Sequence, residues 1–424
     1  MFNHKIKSIK SEFRFKFLLL ILITIIIFIF FVILGMKQFM LISGSILLLF
    51  VFILIIKIIN IGCFFKVDLK TGIKLLVNYL KLDSNLIDNH IYFERVINGE
   101  IKALVPRYKF SVDENGDIQL IFKNSTKLVS YFEKLDLSIS LFGFNVIYQY
   151  VSVNENYYIF VLQNNNYKSF SFNSLVELIA YQNKFTKKYS LNIDNHNSIK
   201  YQHILLTGQT GSGKSYALIY LILQLFYRDV DMNVVDVKHS DISILSKNLN
   251  IPCSSSKEDS MDMLKKFKKD MDQRKDDIFS LLSTNIGLDY SDFNMSAHYF
   301  IIDEYAALYM MLNKEEKTIF FSLLNEIILQ GRQLGFFVIL SMQQSNAQLI
   351  NTNLREQFGF VCVMGSSGKQ TYVTAFGPDI AIPHRVLFAG QGWFKSNMVD
   401  YISFCSFPEL KFNIVQEINN LNIR

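Results

Sequence analysis

The chain has 424 residues and is 50% hydrophobic, more than a single soluble domain needs, and the excess lies near the amino terminus. Its net charge of +6 comes entirely from residues 1–65, which contain seven Lys or Arg and one Glu. The remainder is neutral, so the basic balance is no evidence for nucleic-acid binding. Four cysteines without CxxC spacing argue against a zinc site or a disulfide framework.

Two apolar segments follow a basic tail, residues 1–16. Residues 17–34 carry no charge, and residues 39–56 are interrupted only by Ser43–Ser45. Each segment is long enough, as a helix, to cross a bilayer core of about 30 Å. A secretory signal peptide is the alternative for the first segment, but its apolar part is too long and no small-residue cleavage site follows. We therefore predict transmembrane helices over 17–34 and 39–56.

The Lys and Arg residues around these segments predict their orientation. The connecting loop Gly35–Gln38 holds only Lys37, whereas the outer flanks are rich in cations. The flanking cations are Lys5, Lys7, Lys10, Arg14 and Lys16 before the first segment and Lys57, Lys66, Lys70 and Lys74 after the second. Because cytoplasmic flanks carry the excess of Lys and Arg, we expect a multi-pass cell-membrane protein with both termini in the cytoplasm.

Residues 66–190 are predicted to form a small membrane-proximal α+β domain. Residues 71–80 have helical spacing, and Asn115-Gly116 is a strong hairpin turn between two apolar strands. A second hairpin pairs residues 145–153 with residues 157–163. No chemical constellation is present in this region. The Asn-rich stretch 192–198 then marks the boundary with a second domain, residues 191–424.

From residue 200 onward, short apolar strands alternate with helices, the pattern of a parallel sheet covered by helices on both faces. The predicted strands are His203–Leu206, Asn233–Val237, Tyr299–Ile302 and Phe336–Leu340. The predicted helices are Tyr216–Phe226, Ser256–Leu282 and Glu315–Gln330. The second domain is therefore assigned to the α/β class.

A phosphate-binding loop joins the first of these strands to the first helix. Its residues are Gly208, Gln209, Thr210, Gly211, Ser212, Gly213, Lys214 and Ser215, a full match to the P-loop pattern. The glycines let backbone N–H groups turn toward an anion, and the helix that follows directs its positive end at the phosphates. Lys214 and Ser215 would address the terminal phosphates and Mg²⁺. A glycine-rich turn without a ligand is the alternative, and the flanking strand and helix argue against it.

Two acids, Asp303 and Glu304, follow the buried strand Tyr299–Ile302. Ligands bind at the carboxyl ends of strands in such sheets. Asp303 would hold Mg²⁺, and Glu304 would orient and deprotonate the attacking water. A solvated acidic turn is the alternative for this pair taken alone, but the upstream P-loop favours the catalytic interpretation.

Two further residues have weaker signals. Gln343 follows the strand Phe336–Leu340 and could sense the γ-phosphate, or be an ordinary strand-end glutamine. Arg332 lies near the end of a helix, where a cation also complements the helix dipole. Both are retained as candidate catalytic residues.

Four motifs together resemble the motor domain of the FtsK/SpoIIIE family, in the HerA/FtsK branch of P-loop ATPases. They are GQTGSGKS (208–215), VVDVKHSD (234–241), FIIDEYAAL (300–308) and GRQLGFFVILSMQQ (331–344), and the resemblance covers roughly residues 190–405. It implies a RecA-like fold, ATP and Mg²⁺ as cofactors, and homo-hexameric rings that pull DNA through a pore. Carried over by position, Lys214 and Ser215 bind nucleotide, Asp303 and Glu304 serve Mg²⁺ and water, Gln343 is the sensor, and Arg332 serves a neighbouring subunit.

The resemblance has departures. Gln343-Gln344-Ser345 stands where the family often has Gln-Arg-Pro. Asn353-Leu354-Arg355-Glu356-Gln357 matches a later family element, Asn-x-Pro-x-Arg, only in part. We also expect no winged-helix domain of the kind that follows the motor in chromosome-segregating members.

The order of a short membrane anchor, a small domain and a bare motor looks similar to coupling proteins of Gram-positive conjugative elements. We therefore expect a DNA translocase that serves a relaxase and a transfer channel. The alternatives are a chromosome or plasmid partitioning translocase, and a nucleotide-gated docking hub or protein-secretion ATPase. Glu304 argues against a purely binding role, because a switch that need not hydrolyse ATP does not require a positioned base.

Overall fold

The computed structural model describes residues 5–7, 25–26, 29, 33–34, 37–88, 90–97, 100–112, 118–124, 132, 137, 141–152, 154–164, 170–282, 287–343, 350, 352–378, 387–397 and 399–421. Residues up to Tyr167 form one compact unit, and nearly all residues from Lys168 onward form another. We call them the amino-terminal unit and the motor unit.

The amino-terminal unit contains one helix that is long and apolar enough to cross a membrane. Helix α1 (Lys37–Ile61) includes this candidate span, Ile42–Ile61. Only 6% of its apolar 18-residue stretch is buried within the protein. The helix starts two residues before and ends five residues after the predicted span 39–56, so Lys37 and Gln38 of the expected loop are helical. The other predicted span, 17–34, lies almost entirely outside the described residues.

The described part of this unit also contains helix α2 (Leu69–Asp88) and two antiparallel sheets. The strands are β1 (Lys5–Lys7), β2 (Phe93–Ile97), β3 (Glu100–Val105), β4 (Tyr108–Val112), β5 (Ile118–Lys123), β6 (Phe144–Val151) and β7 (Tyr157–Asn164). Their orders are β1-β3-β2 and β4-β5-β7-β6, which confirms the pairing of both predicted hairpins. Residues 1–16 are not simply a tail, because β1 within them pairs with β3.

The core of the amino-terminal unit includes the end of the apolar helix α1. Ile61, the last residue of α1, and Cys63 are fully buried with the aromatic side chains of the four-stranded sheet. Phe122, Phe132 and Phe160 are also fully buried and contact one another through their rings. Burying such large apolar side chains supplies the main stabilising free energy of the unit.

The motor unit is built on an eight-stranded sheet. Its strands and the short flanking strands are β8 (Ser171–Phe172), β9 (Ser190–Asn192), β10 (Ser198–Lys200), β11 (Ile204–Gly208), β12 (Asp231–Asp236), β13 (Cys253–Ser254), β14 (His298–Asp303), β15 (Phe336–Met342), β16 (Phe360–Met364), β17 (Gln391–Ser396), β18 (Val399–Ser406) and β19 (Glu409–Leu410). The helices are α3 (Leu175–Phe185), α4 (Lys214–Phe226), α5 (Asp241–Asn248), α6 (Lys257–Leu282), α7 (Tyr305–Met311), α8 (Lys314–Leu334), α9 (Thr352–Arg355), α10 (Lys369–Phe376) and α11 (Ile414–Asn420). The sheet order is β13-β12-β14-β15-β11-β16-β17-β18.

The first six strands in this order are parallel and are connected through helices, which confirms the α/β fold. The sheet is not parallel throughout, because β17 and β18 run antiparallel to their neighbours. A two-residue connection between β17 and β18 is too short for a crossover and permits only a hairpin.

The motor unit begins earlier than the boundary expected at residues 190–191. Strand β8 pairs with β19 at the far end of the chain, which attaches residues 171–172 to the motor unit. In helix α3, the Gln182 amide donates a hydrogen bond of 2.7 Å to the Gln224 carbonyl of α4. These contacts tie β8 to β19 and α3 to the P-loop helix α4, although they connect distant parts of the sequence.

Helix α8 extends beyond its predicted end at Gln330 and stops at Gly335, which has a φ of 77°. Gly331 lies inside the helix. A Cβ atom there would lie 2.2 Å from the Phe336 carbonyl oxygen, too close for any side chain. The glycine therefore permits close approach of helix and strand rather than ending the helix.

Candidate active site

The P-loop connects β11 to α4, as the sequence predicts. Gly213, at the start of α4, has a left-handed φ of 92°, and Gly211 has a φ of 81°. The Lys214 ammonium group curls back over the loop and donates hydrogen bonds to the Gly208 carbonyl (2.5 Å) and the Gln209 carbonyl (3.4 Å). The loop and its lysine thus form a compact cradle at the positive end of a 13-residue helix.

This cradle leaves no space for a side chain on two of its glycines, Gly208 and Gly213. A Cβ atom on Gly208 would lie 2.4 Å from the Met364 carbonyl oxygen, and one on Gly213 would lie 2.4 Å from the Gly390 nitrogen. The buried Ser212 hydroxyl has no hydrogen-bond partner among the described residues. Tight backbone packing with an unpaired hydroxyl in the loop fits a site that donates hydrogen bonds to a phosphate group.

Two aspartates face each other at the carboxyl ends of neighbouring strands. Asp236 of β12 is the register partner of Asp303 of β14. The Ser240 hydroxyl lies 2.9 Å from an Asp236 oxygen and 3.3 Å from an Asp303 oxygen. Ser243 also donates to Asp236, through its backbone N–H and its hydroxyl. Asp236 therefore serves as an anchor for the turn into α5, whereas Asp303 accepts fewer hydrogen bonds.

The environments of the two aspartates shift their pKa values in opposite directions. Burial raises the pKa of Asp303, and the negative charge of Asp236 adds to the increase. Burial acts in the same direction on Asp236, but hydrogen bonds from Ser243 and Ser240 outweigh it, so the pKa of Asp236 is lowered. A carboxylate disfavoured by burial and a neighbouring like charge is well suited to gain a divalent cation.

Glu304 follows Asp303 and is held in an unusual backbone conformation. Its φ of 58° is in the left-handed region, which non-glycine residues seldom adopt. Residues held in such conformations are often found at functional sites. One carboxylate oxygen pairs with the Lys238 ammonium at 3.0 Å, and the other accepts a hydrogen bond of 3.2 Å from the Gln343 backbone N–H. The two candidate residues Glu304 and Gln343 are thus brought together.

The charged groups of the site also influence Lys214. Burial lowers the pKa of Lys214, while the carboxylates of Glu304 and Asp303 act in the opposite direction and Lys238 reinforces the decrease. Lys214 would contact the phosphates of a bound nucleotide, Ser215 and Asp303 would hold its Mg²⁺, and Glu304 would act on water. A bound ATP would supply the phosphoryl bond that is broken. These side chains would bind the nucleotide, orient the attacking water and remove its proton.

Arg332 is not brought into this group. It is exposed at the end of α8, just before β15, while Gln343 follows the other end of that strand. A seven-residue strand spans about 23 Å, so Arg332 lies at the opposite edge of the sheet from Glu304 of the same chain. Arg355 is also occupied elsewhere, because its guanidinium donates to the Thr374 carbonyl of α10.

Sequence reasoning assigned no role to Asp236, Lys238 or Ser240, although the motif VVDVKHSD contains all three. The available signal was their position after a buried strand that neighbours the strand of Asp303. Strand order is needed to use this signal, because 66 residues separate Lys238 from Glu304.

Comparison with known proteins finds a family that is similar to part of this region. Residues 180–293 match the FtsK/SpoIIIE family. A curated relative, the FtsK domain-containing protein YdcQ of Bacillus subtilis strain 168, is 27% identical over 178 residues, which are 42% of this chain and 37% of the relative. The matched region therefore spans little more than a third of that protein's length.

Solved structures give weaker matches. The pCW3 conjugation coupling protein TcpA, in its monomer form with ATPγS, has a TM-score of 0.49 at 16% identity, covering 75% of this chain and 93% of that chain. EssC ATPases 2 and 3 from Geobacillus thermodenitrificans have a TM-score of 0.43 at 15% identity, covering 53% and 46%. The P-loop, the acidic strand end and the match over residues 180–293 together make this part of the chain similar to the FtsK/SpoIIIE family of P-loop proteins.

Proposed function

We propose that this protein is a membrane-anchored, ATP-driven DNA translocase that acts as a conjugative coupling protein. The observation that carries the motor role is the row of groups along one edge of the sheet. Asp303 ends β14 and Glu304 follows it, Gln343 follows β15, and the P-loop follows β11. These three strands are adjacent in the sheet, in the order β14-β15-β11. This order supports the proposal that binding, metal and base functions would surround one nucleotide.

The conjugative role rests on the order of parts along the chain. An apolar helix is followed directly by a small α+β unit and then by the FtsK/SpoIIIE-like motor. Such an arrangement holds a motor at the inner face of a membrane, where it would receive DNA with its relaxase and deliver it to a channel. A single motor unit has no surface that encloses DNA, so six copies joined head to tail would form the ring.

We further propose that the chain crosses the membrane twice. Lys5–Lys7 of β1 pair with Ala103–Val105 of β3, on the same unit that follows helix α1. The start of the chain and this unit therefore lie on the same side of the membrane, which requires an even number of crossings. Helix α1 supplies one crossing, and the apolar segment 17–34 is suited to supply the other.

The test is ATP turnover by the full-length chain in detergent, with and without long double-stranded or single-stranded DNA. We expect DNA to stimulate turnover and the stimulation to weaken as salt rises, because phosphate contacts release counterions. Lys214→Ala protein is the control for contaminating ATPases. Turnover that no DNA changes at any salt concentration would contradict the translocase and favour a docking hub or a protein-secretion ATPase.

A further inference from the structure

Lys238 is the residue of the site whose contact has no explanation in the proposed chemistry. Its ammonium group pairs with Glu304 at 3.0 Å, so the proposed base has one oxygen on Lys238 and the other on the Gln343 N–H. A carboxylate with both oxygens engaged is a poor acceptor for a proton from water. For Glu304 to act as a base, one of these contacts has to open.

The Lys238 contact is built to open more easily than the Gln343 contact. The Lys238 side chain is 45% exposed, whereas that of Glu304 is only 11% exposed. A half-exposed ion pair contributes little to stability, about 1 kcal/mol at most, so fold stability does not require it. The Gln343 donor belongs to the backbone and is held at the end of β15.

The backbone of Lys238 is nevertheless held in place. Its N–H donates a hydrogen bond of 3.1 Å to Asp236, which also binds the N–H groups of Ser240 and Ser243. The next residue, His239, has a left-handed φ of 51°. The side chain therefore extends from a fixed turn and can change partners without movement of the chain.

Lys238 also lies within the electrostatic field of the P-loop, because its charge acts on Lys214. A triphosphate bound at Lys214 would bring concentrated negative charge between these two cations. A phosphate oxygen is a strong partner for an ammonium group, and a terminal phosphate competes with a single carboxylate for it.

We propose that Lys238 is a positioning residue that leaves Glu304 for the terminal phosphate when a nucleoside triphosphate binds, freeing Glu304 to act on water. The diphosphate lacks that phosphate and leaves the ion pair closed. The base is thus released only when there is a bond to hydrolyse. This inference rests on the proposed function, because it requires nucleotide binding at the P-loop.

The test compares the affinities of the full-length chain for ATPγS and for ADP, measured by displacement of a fluorescent nucleotide in the presence of Mg²⁺. Lys238→Ala should weaken ATPγS binding roughly tenfold, the effect of losing a hydrogen bond to a charged group, and change ADP binding by less than about twofold. Lys238→Arg keeps the charge and should recover most of the preference for ATPγS. Lys247→Ala, at an exposed lysine of α5, is the matched control and should change neither affinity.

The outcomes distinguish this inference from the proposed function. If wild-type protein binds both nucleotides and Lys238→Ala leaves the ratio of the two affinities unchanged, Lys238 does not meet the terminal phosphate and the inference is overturned. If wild-type protein binds neither nucleotide, the proposed function falls and the inference falls with it. A selective loss of ATPγS affinity that Lys238→Arg restores would support both.

Discussion

The backbone N–H of Gln343 donates a hydrogen bond of 3.2 Å to the carboxylate of Glu304. The residue expected to sense the terminal phosphate is therefore joined to the residue expected to activate water. Because the donor is a backbone group, replacing the Gln343 side chain leaves this bond intact. Glu304 is positioned by the main chain of the neighbouring strand and by Lys238.

Replacing Glu304 with Gln should separate nucleotide binding from turnover. The amide oxygen of Gln can still accept the Gln343 hydrogen bond, but it cannot take a proton, so we expect turnover to fall on the order of 100-fold while ATP still binds. Lys214→Ala should abolish both binding and turnover. Steady-state ATPase rates and fluorescent-nucleotide titration measure the two effects. The control is Glu409→Gln, a surface carboxylate paired with Lys411 at 3.4 Å. Wild-type turnover by Glu304→Gln would remove it from the base role.

Two glycines of the P-loop should differ in their tolerance of alanine. Both have left-handed φ values, which cost an alanine about 1 kcal/mol. A Cβ on Gly213 would also lie 2.4 Å from the Gly390 nitrogen, whereas nothing lies within 4 Å of a Cβ on Gly211. Gly213→Ala should therefore lower the Tm more than Gly211→Ala and impair nucleotide binding more. Equal decreases in Tm would show that the loop yields at Gly390.

His203 should make the stability of the motor unit depend on pH. It is fully buried at the entry to β11, its Nδ1 accepts the Val338 N–H at 3.1 Å, and burial lowers its pKa to about 3. Between that value and its ordinary 6.5 the unfolded chain binds one more proton than the folded chain. Stability is therefore fully present above pH 6.5 and falls by about 1.4 kcal/mol per pH unit below it.

This dependence can be isolated with matched substitutions. His203→Gln keeps an acceptor for Val338 but does not titrate, so its Tm should decrease less than that of wild-type protein between pH 7.5 and pH 5. His196→Gln, at an exposed histidine, should preserve the wild-type decrease. An identical decrease in all three proteins would assign the pH dependence to other groups.

The predicted membrane topology can be tested by cysteine labelling in intact cells. A cysteine introduced at Gln38, at the start of α1, should react with an impermeant maleimide added outside. Native Cys253 is exposed on the motor unit and should react only after the cells are permeabilised. If Cys253 reacts from outside while position 38 is protected, the orientation is the reverse of the one proposed.

Arg332 should act, if at all, on a neighbouring subunit, because it lies at the opposite sheet edge from its own Glu304. Arg332→Ala should bind ATP but turn it over slowly. Mixing Arg332→Ala with Lys214→Ala subunits should restore some activity, since one interface can then combine an intact P-loop with an intact Arg332. Mixed rings that form but show no rescue would leave Arg332 as a cation at the end of a helix.

The parts of this structure that depend on neighbouring residues were predictable from the sequence. Apolar runs such as Phe336–Leu340 indicate buried strands, and the P-loop carries its chemistry in eight consecutive residues. The hairpin around Asn115-Gly116 is equally local, because its turn chemistry fixes the pairing of the strands it connects.

The features that depend on distant pairing were not predictable. The β8–β19 pair joins residues 171–172 to residues 409–410. The motor unit therefore begins before the boundary that the sequence predicts at residues 190–191. Likewise, the ion pair of Lys238 with Glu304 exists only because β12 and β14 are adjacent in the sheet. No local pattern encodes strand order, so the partner of the proposed base could not be identified from sequence alone.

The burial of Ile61 and Cys63 in the core of the amino-terminal unit bears on how force passes to the membrane. The apolar helix enters that core directly, and removing a buried side chain of this size costs about 2–5 kcal/mol. If α1 crosses the membrane as proposed, a mechanical load on the unit would therefore reach the bilayer through packed side chains rather than through a flexible tether. Helix α1 and the rest of the unit would then resist pulling together.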